Sequence, residues 1–440
     1  MQDVVKKPAS RMRQVTAAVI GNALEWYDFI VYGFMARIFA SAFFPSDDPN
    51  TELLTALATF GVGFFMRPVG GILLGMYADR KGRKAALQMI IILMTIAIAL
   101  ITFAPPYTAI GIGAPIIIVI ARMLQGFATG GEFASATAFL VESAPGNRRG
   151  LYGSWQLFGQ CLAVFAGNGM GALVTGLLEP EAVNSWGWRV PFAIGLLIAP
   201  VGLWIRKHME ETEDFVQASK TEKPVPLLKV LKDNPRSVFV TLGSTIVGTT
   251  TFYVILVNMP NFATTALGLP ATEVFMVQMA AVALMTLVIP LAGLWSDIWG
   301  RKPVLTIGAL GVGVLVYPLY TWLAAAPSLE KLLVTQILLC LFIGISYGPA
   351  PTAMAEQWTT RVRSSGVAVA YNLAVMLFGG FAPYIVTRLV KETGNPVSAA
   401  WYVLLGVGIG LLAYAFMRDG SPAAIARQQI RDQAAGIAQQ

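Results

Sequence analysis

Charged and chemically reactive side chains are what this sequence has least of. Asp, Glu, Lys and Arg make up only 12% of the 440 residues, about half the ~25% usual in a soluble domain. With 56% hydrophobic residues and a mean hydropathy of +0.64, a water-soluble fold could not cover its surface. The single histidine, His208, lies in a charged stretch, so neither a histidine metal site nor a histidine proton relay is available. Two cysteines, Cys161 and Cys340, sit inside apolar runs and read as small buried hydrophobes, not as a disulfide framework or a zinc site. No nucleophile–base pair, metal cluster or phosphate loop appears, so the residues favour no enzyme and call for no cofactor.

What the chain has is apolar length. Runs of about 20 residues, each able to cross a bilayer as a helix, recur from end to end. They fall near 15–43, 52–76, 85–104, 114–142, 151–177, 189–205, 237–260, 272–295, 303–325, 329–355, 365–388 and 398–417. The expected fold is an all-α polytopic membrane protein of twelve spans. The basic, polar start and the length of the first run argue against a cleavable signal peptide.

The net charge of +7 is explained by where it lies. Lys6, Lys7, Arg11, Arg13, Arg80, Lys81, Arg83, Lys84, Arg148, Arg149, Arg301, Lys302, Arg361, Arg363, Arg418, Arg427 and Arg431 all fall on the side of the two termini, as does the stretch 206–236. The other loops hold only Lys331, Arg388 and Lys391, with Arg189 at a span edge. The positive-inside rule then puts both termini in the cytoplasm, with a lipid bilayer and no nucleic acid as partner. The stretch 206–236 is the one long hydrophilic interruption. It divides the chain into a bundle over 1–205, a cytoplasmic linker and a bundle over 237–440 with a short tail.

The two blocks repeat. Gly75, Ala78, Asp79, Gly82, Arg83 and Lys84 follow the second run; Gly293, Ser296, Asp297, Gly300, Arg301 and Lys302 follow the eighth at the same spacing. Glu142 and Arg149 end the fourth run as Glu356 and Arg363 end the tenth. A topology signal explains the basic residues, but not Gly75, Asp79, Gly82 and Glu142 recurring in register. This paired pattern resembles the major facilitator superfamily over the whole chain. The resemblance implies two pseudo-symmetric six-helix bundles that rock about a central site. It also implies a gate on the cytoplasmic side, formed by Asp79, Arg83, Glu142 and Arg149 with Asp297, Arg301, Glu356 and Arg363.

Ionised groups at the bilayer centre cost about 2.5–3.5 kcal/mol each, so each is a functional candidate. Asn22, Glu25 and Asp28 share one face of the first run, about 120° wide. Arg67 lies in the second, able either to meet a carboxylate or to snorkel. Arg122, Gln125, Thr129 and Glu132 form a polar stripe in the fourth, where Gln125 and Thr129 read better as interhelical hydrogen-bonding groups. Proton coupling needs a carboxylate that exchanges a proton for a cation as the shape changes. Asp28 with Arg122 is the natural pair, matching the arrangement of sugar–proton symporters in the superfamily, and Glu132 and Glu25 are second choices. A permanent Asp28–Arg122 salt bridge is the structural alternative. Gln156, Gln160, Tyr253, Asn258, Tyr347 and Asn372 are further candidates to line a cavity, and Pro260 to break the seventh helix near it.

Within the superfamily the chain is similar to the metabolite–proton symporters. Asn22, Glu25, Trp26, Tyr27 and Asp28 carry that likeness, as do Met66 to Gly70, Arg122 with Gln125 and Gly126, and Trp188 with Arg189. Tyr152 to Gln156, Thr249 to Tyr253 and Phe378 to Pro383 look most like the citrate and tricarballylate carriers. The implied activity is import of a di- or tricarboxylate with protons, by a monomer in a bacterial inner membrane. Carriers of α-ketoglutarate, shikimate or proline/betaine are the alternatives, followed by a drug–proton antiporter. Osmosensory proline/betaine carriers have a long coiled-coil tail, and no sustained heptads follow the last run here. Against a tricarboxylate stands the scarcity of cations, with only Arg122 firmly placed in the cavity.

Overall fold

The computed structural model describes residues 11–81, 83–130, 132–200, 202, 231–359 and 362–437. Twelve helical spans form the body. They are α1 (Arg11–Phe43), α2 (Pro49–Lys81), α3 (Arg83–Phe103), α4 (Gly113–Glu142), α5 (Arg149–Leu177) and α6 (Arg189–Pro200), then α7 (Pro235–Val257), α8 (Ala271–Trp299), α9 (Arg301–Ala325), α10 (Leu329–Glu356), α11 (Arg363–Thr393) and α12 (Ser398–Ala415). A last helix, α13 (Pro422–Ile437), follows them. Nine of the described helices are long and apolar enough to cross a membrane, α2, α4, α5 and α7 to α12. The polar α1 and the shorter α3 and α6 complete the twelve. Of the expected linker 206–236, residues 206–230 lie outside the described residues, and Pro235 opens α7 at a position that needs no N–H donor.

In lipid the backbone must satisfy itself, which is why the spans are helical throughout. Two of the described spans carry a π-helical turn. A π-helical turn occupies Phe252–Val257 at the end of α7, and another occupies Val375–Gly379 within α11. Beyond the first, Asn258 marks a break and the helix resumes over Met259–Thr265 with Pro260 in its first turn, where the sequence predicts an interruption.

Glycine sets the spacing inside the first bundle. α2 and α4 meet backbone to backbone: a Cβ at Gly126 would collide with the Gly63 carbonyl, one at Gly70 with the Phe127 carbonyl, and one at Gly130 with the Arg67 carbonyl. Small residues allow this close approach where no hydrophobic effect drives helices together. Between bundles, α5 runs antiparallel to α8. Gly150 faces Gly293 at one end, Gly171 faces the Phe275 ring near the other, and the Thr272 hydroxyl meets that of Thr175 at 2.9 Å. α2 and α11 form the second seam, with Gly61 against the Phe381 ring and Gly380 against Phe64.

Candidate functional site

The centre is built on α1. Asn22, Glu25 and Asp28 are all buried, as their common face requires. Phe29, one residue on, stands between two guanidinium groups: the Arg122 carbon lies 4.2 Å from its ring centre and the Arg67 carbon 4.8 Å. Tyr32 and Phe60 complete the surroundings of Arg122, at 4.6 and 4.9 Å. Trp26 and Phe64 complete those of Arg67, at 5.2 and 4.6 Å. Both arginines are buried, at 0% and 1% exposure, so Arg67 does not snorkel. Ring faces hold these cations by their quadrupoles and leave N–H groups at the edges. Nε and Nη2 of each arginine have no hydrogen-bond partner among the described residues.

One expectation fails in this conformation. Asp28 does not pair with Arg122: its two carboxylate oxygens have no hydrogen-bond partner among the described residues. It turns instead to α6, where Gly195 leaves room that a Cβ would fill. The neighbouring Tyr27 hydroxyl ties α1 to the same helix, donating to the Pro191 carbonyl at 3.1 Å. Arg122 donates to Gln125 on its own helix. Asp28 and Tyr32 are one turn apart on the same side of α1; the carboxylate lies against α6, while the rings of Phe29 and Tyr32 lie against the arginine.

A narrow cavity of about 50 Å³ lies beside this cluster, between the bundles. Trp26, Phe133 and Gln160 line it from the first half, and Tyr253, Tyr347 and Tyr371 from the second. It has room for a few water molecules. The candidate residues divide here. Gln160 and Tyr253 reach the cavity with an unpartnered Nε2 and hydroxyl, whereas the Tyr347 hydroxyl is engaged by the Gly248 carbonyl at 2.8 Å. Asn372 donates to the Gly130 carbonyl and so joins α11 to α4. Gln156 and Asn258 are buried outside the cavity lining, and Asn22 packs against Gly159 of α5. Glu132 is half-buried at the second segment of α4. Sequence reasoning gave no role to the rings of Phe29, Phe60 and Phe64, because an aromatic side chain in an apolar span carries no signal of its own.

Contacts join the bundles on both sides of the cavity. On the face where the chain starts, Asp297 accepts from the Gly150 and Leu151 amides at 2.9 and 3.1 Å, capping the start of α5 from the other bundle. Arg301 bridges Asp297 at 2.7 Å and Glu356 at 3.3 Å. Arg363 reaches across to Glu142 at 2.6 Å. The motif partners thus cross: Glu356 takes Arg301, and Arg363 takes Glu142. Arg149 contributes its carbonyl, which accepts from the Thr352 hydroxyl at 2.9 Å. The side chains of Asp79 and Arg83 lie outside the described ones. At the opposite face Asn261 donates to the Gly33 carbonyl at 2.7 Å, and Lys391 meets Asp48 at 2.7 Å.

Two six-helix bundles, seamed along α2–α11 and α5–α8, with buried charges at their centre, have the architecture of a membrane transporter. The chain belongs to the major facilitator superfamily. Residues 14–236 match the family "Sugar (and other) transporter" and residues 241–439 the family "Major Facilitator Superfamily". It is 34% identical to a citrate-proton symporter of Klebsiella pneumoniae over 416 residues, covering 94% of each chain. It is 33% identical to a glycine betaine/proline/ectoine/pipecolic acid transporter of Dickeya dadantii (strain 3937), covering 95% of this chain and 86% of the relative. Among solved structures, a D-xylose-proton symporter shares the fold, with a TM-score of 0.73 at 19% identity over 94% of this chain and 99% of the other.

Proposed function

We propose that this transporter imports a di- or tricarboxylate, with citrate the best-fitting case, by proton symport through alternating access. The observation that carries this reading is the pair of buried guanidinium groups with free N–H donors on either side of Phe29. Buried cations are costly unless compensated, and an anionic substrate supplies the compensation. Arg67, buried against the cavity-lining Trp26, adds a second cation beside the cavity and so meets the main objection from sequence, a shortage of cations. The citrate-proton symporter of similar length supports the same substrate class.

In the proposed cycle Asp28 alternates between Arg122 and the space beside Gly195. Protonation releases it from Arg122, and the freed guanidinium takes a substrate carboxylate. The loaded halves, 1–205 and 237–440 joined by the linker 206–236, then rock and break the contacts of Asp297, Arg301, Glu356, Arg363 and Glu142. Arg149, Asp79 and Arg83 complete that gate. The protein works as a monomer in a bacterial inner membrane with both termini in the cytoplasm.

A second reading has its own support: aromatic rings suit an onium head group, and the Dickeya relative is a betaine-type transporter. One experiment separates the two. Purified protein in liposomes takes up labelled citrate under an inward proton gradient, with tricarballylate, α-ketoglutarate, shikimate, proline and betaine as competitors. Gradient-driven uptake blocked by tricarboxylates alone is the expected result. Uptake of proline or betaine with no citrate transport overturns the carboxylate reading.

A further inference from the structure

Between residues 244 and 251 the hydroxyl side chains of α7 divide into two kinds. Thr245, Thr250 and Thr251 donate to the carbonyls of Thr241, Ile246 and Val247 on their own helix, each at 2.8 Å. This back-bonding is the default for a hydroxyl in an apolar helix, since it satisfies the donor without a partner. Ser244 and Thr249 have the same option and do not take it. Both line the central cavity, both are more than nine-tenths buried, and neither hydroxyl has a hydrogen-bond partner among the described residues. The Thr249 hydroxyl oxygen faces Gly379 of the π-helical turn of α11, where the missing Cβ leaves it room at the cavity wall.

Leaving two buried hydroxyl groups unsatisfied costs stability unless something else completes them. The chemistry of the surrounding groups shows what is missing. Arg67, Arg122 and the Gln160 Nε2 only donate, so they match carboxylate oxygens. A serine or threonine hydroxyl both donates and accepts, so it pairs equally well with an alcohol, whose own proton needs an acceptor. We infer that Ser244 and Thr249 form the subsite that reads a hydroxyl group on the substrate, while the donors of the facing half hold its carboxylates. The inference rests on the carboxylate reading above and makes it specific: the substrate is a hydroxy-carboxylate.

Citrate and tricarballylate make the test clean, because they share three carboxylates and differ by one hydroxyl. The measurement is kcat/KM for proton-driven uptake of each in liposomes, by wild type, Ser244→Ala and Thr249→Val. Wild type is expected to favour citrate by about five- to tenfold, the worth of one net hydrogen bond. The variants are expected to bring the ratio close to one by losing citrate uptake while keeping tricarballylate uptake. If a variant transports neither, Ser244→Thr and Thr249→Ser, which keep the hydroxyl, must hold the wild-type ratio. A wild type that does not distinguish the two compounds overturns the inference, as do variants that lose both in proportion. In either case the carboxylate reading stands. Transport of neither compound, with proline or betaine carried, removes both together.

Discussion

The carboxylate of Asp28 rests against Gly195, in space that any larger residue at 195 would take. Gly195→Ala therefore pushes the side chain out of its place on α6 and back toward Arg122. Gradient-driven accumulation is expected to fall at least tenfold while substrate exchange persists. Asp28→Asn should give the same split, with accumulation abolished and exchange spared. Counterflow beside net uptake in liposomes checks both, and accumulation surviving in Asp28→Asn refutes the coupling role.

The arginines are held by flat contact with rings, which an ammonium cannot reproduce. Arg122→Lys and Arg67→Lys keep the charge and lose the stacking on Phe29. If the substrate is the proposed carboxylate, its KM should rise about tenfold or more in each. A change confined to the maximal rate would show that the cations do not bind substrate.

Arg363 and Glu142 join the halves at the face where a gate is proposed. Glu142→Arg alone and Arg363→Glu alone are each expected to lower transport several-fold by placing like charges together. The double exchange should recover most of it. Partial exposure of the pair keeps the effect on folding small, within about 1 kcal/mol, so rates and not expression carry the result.

At the other face the Lys391 ammonium, helped by the Asn50 amide and the Thr51 hydroxyl, holds the Asp48 carboxyl down at about 2. A lowered carboxylate contributes above its free value of ~3.9 and loses its effect only as pH falls through about 2. The clasp is thus constant across the working range. The pH profile of uptake by Asp48→Asn should follow that of wild type between pH 5 and 8, and a displaced profile would make Asp48 a coupling group.

Gly126 touches the Gly63 carbonyl. Gly126→Ala forces α2 and α4 apart and is expected to cost about 1–3 kcal/mol, as overpacking does. A lower thermal midpoint of the purified protein in detergent measures it; no change would mean the helices can part freely.

The twelve spans, the repeat and the burial of Arg122 and Asp28 were legible because membrane insertion penalises charge and leaves little else to explain it. For Arg67 the sequence left snorkelling open, and the structure buries it. The pairing was not legible. Internal repetition shows that Glu142 corresponds to Glu356, but a corresponding residue is not a partner, and the ion pairs cross between motifs. The neighbour to which Asp28 turns depends on how its side chain lies against α6, which a three-residue periodicity leaves open. Thr352 and the unbonded state of Ser244 gave no signal either, since threonine and serine are ordinary residues in packed helices.

The π-helical turns of α7 and α11 bear on how the two halves share the work. Each holds an extra residue in a helical turn, so its hydrogen-bond ladder is already out of step at a fixed place. Among the described spans these two alone carry such a fault, and both belong to the second bundle. Close glycine contacts occur in both bundles: Gly70, Gly126 and Gly130 meet backbone around the arginines in the first, and Gly308 and Gly348 meet the backbone of α10 and α8 in the second. Two copies of one plan therefore differ in their ladders and not in how closely their glycines pack: only the second copy has spans whose hydrogen bonds change step, and it does so where Phe252, Tyr253 and Val375 wall the cavity.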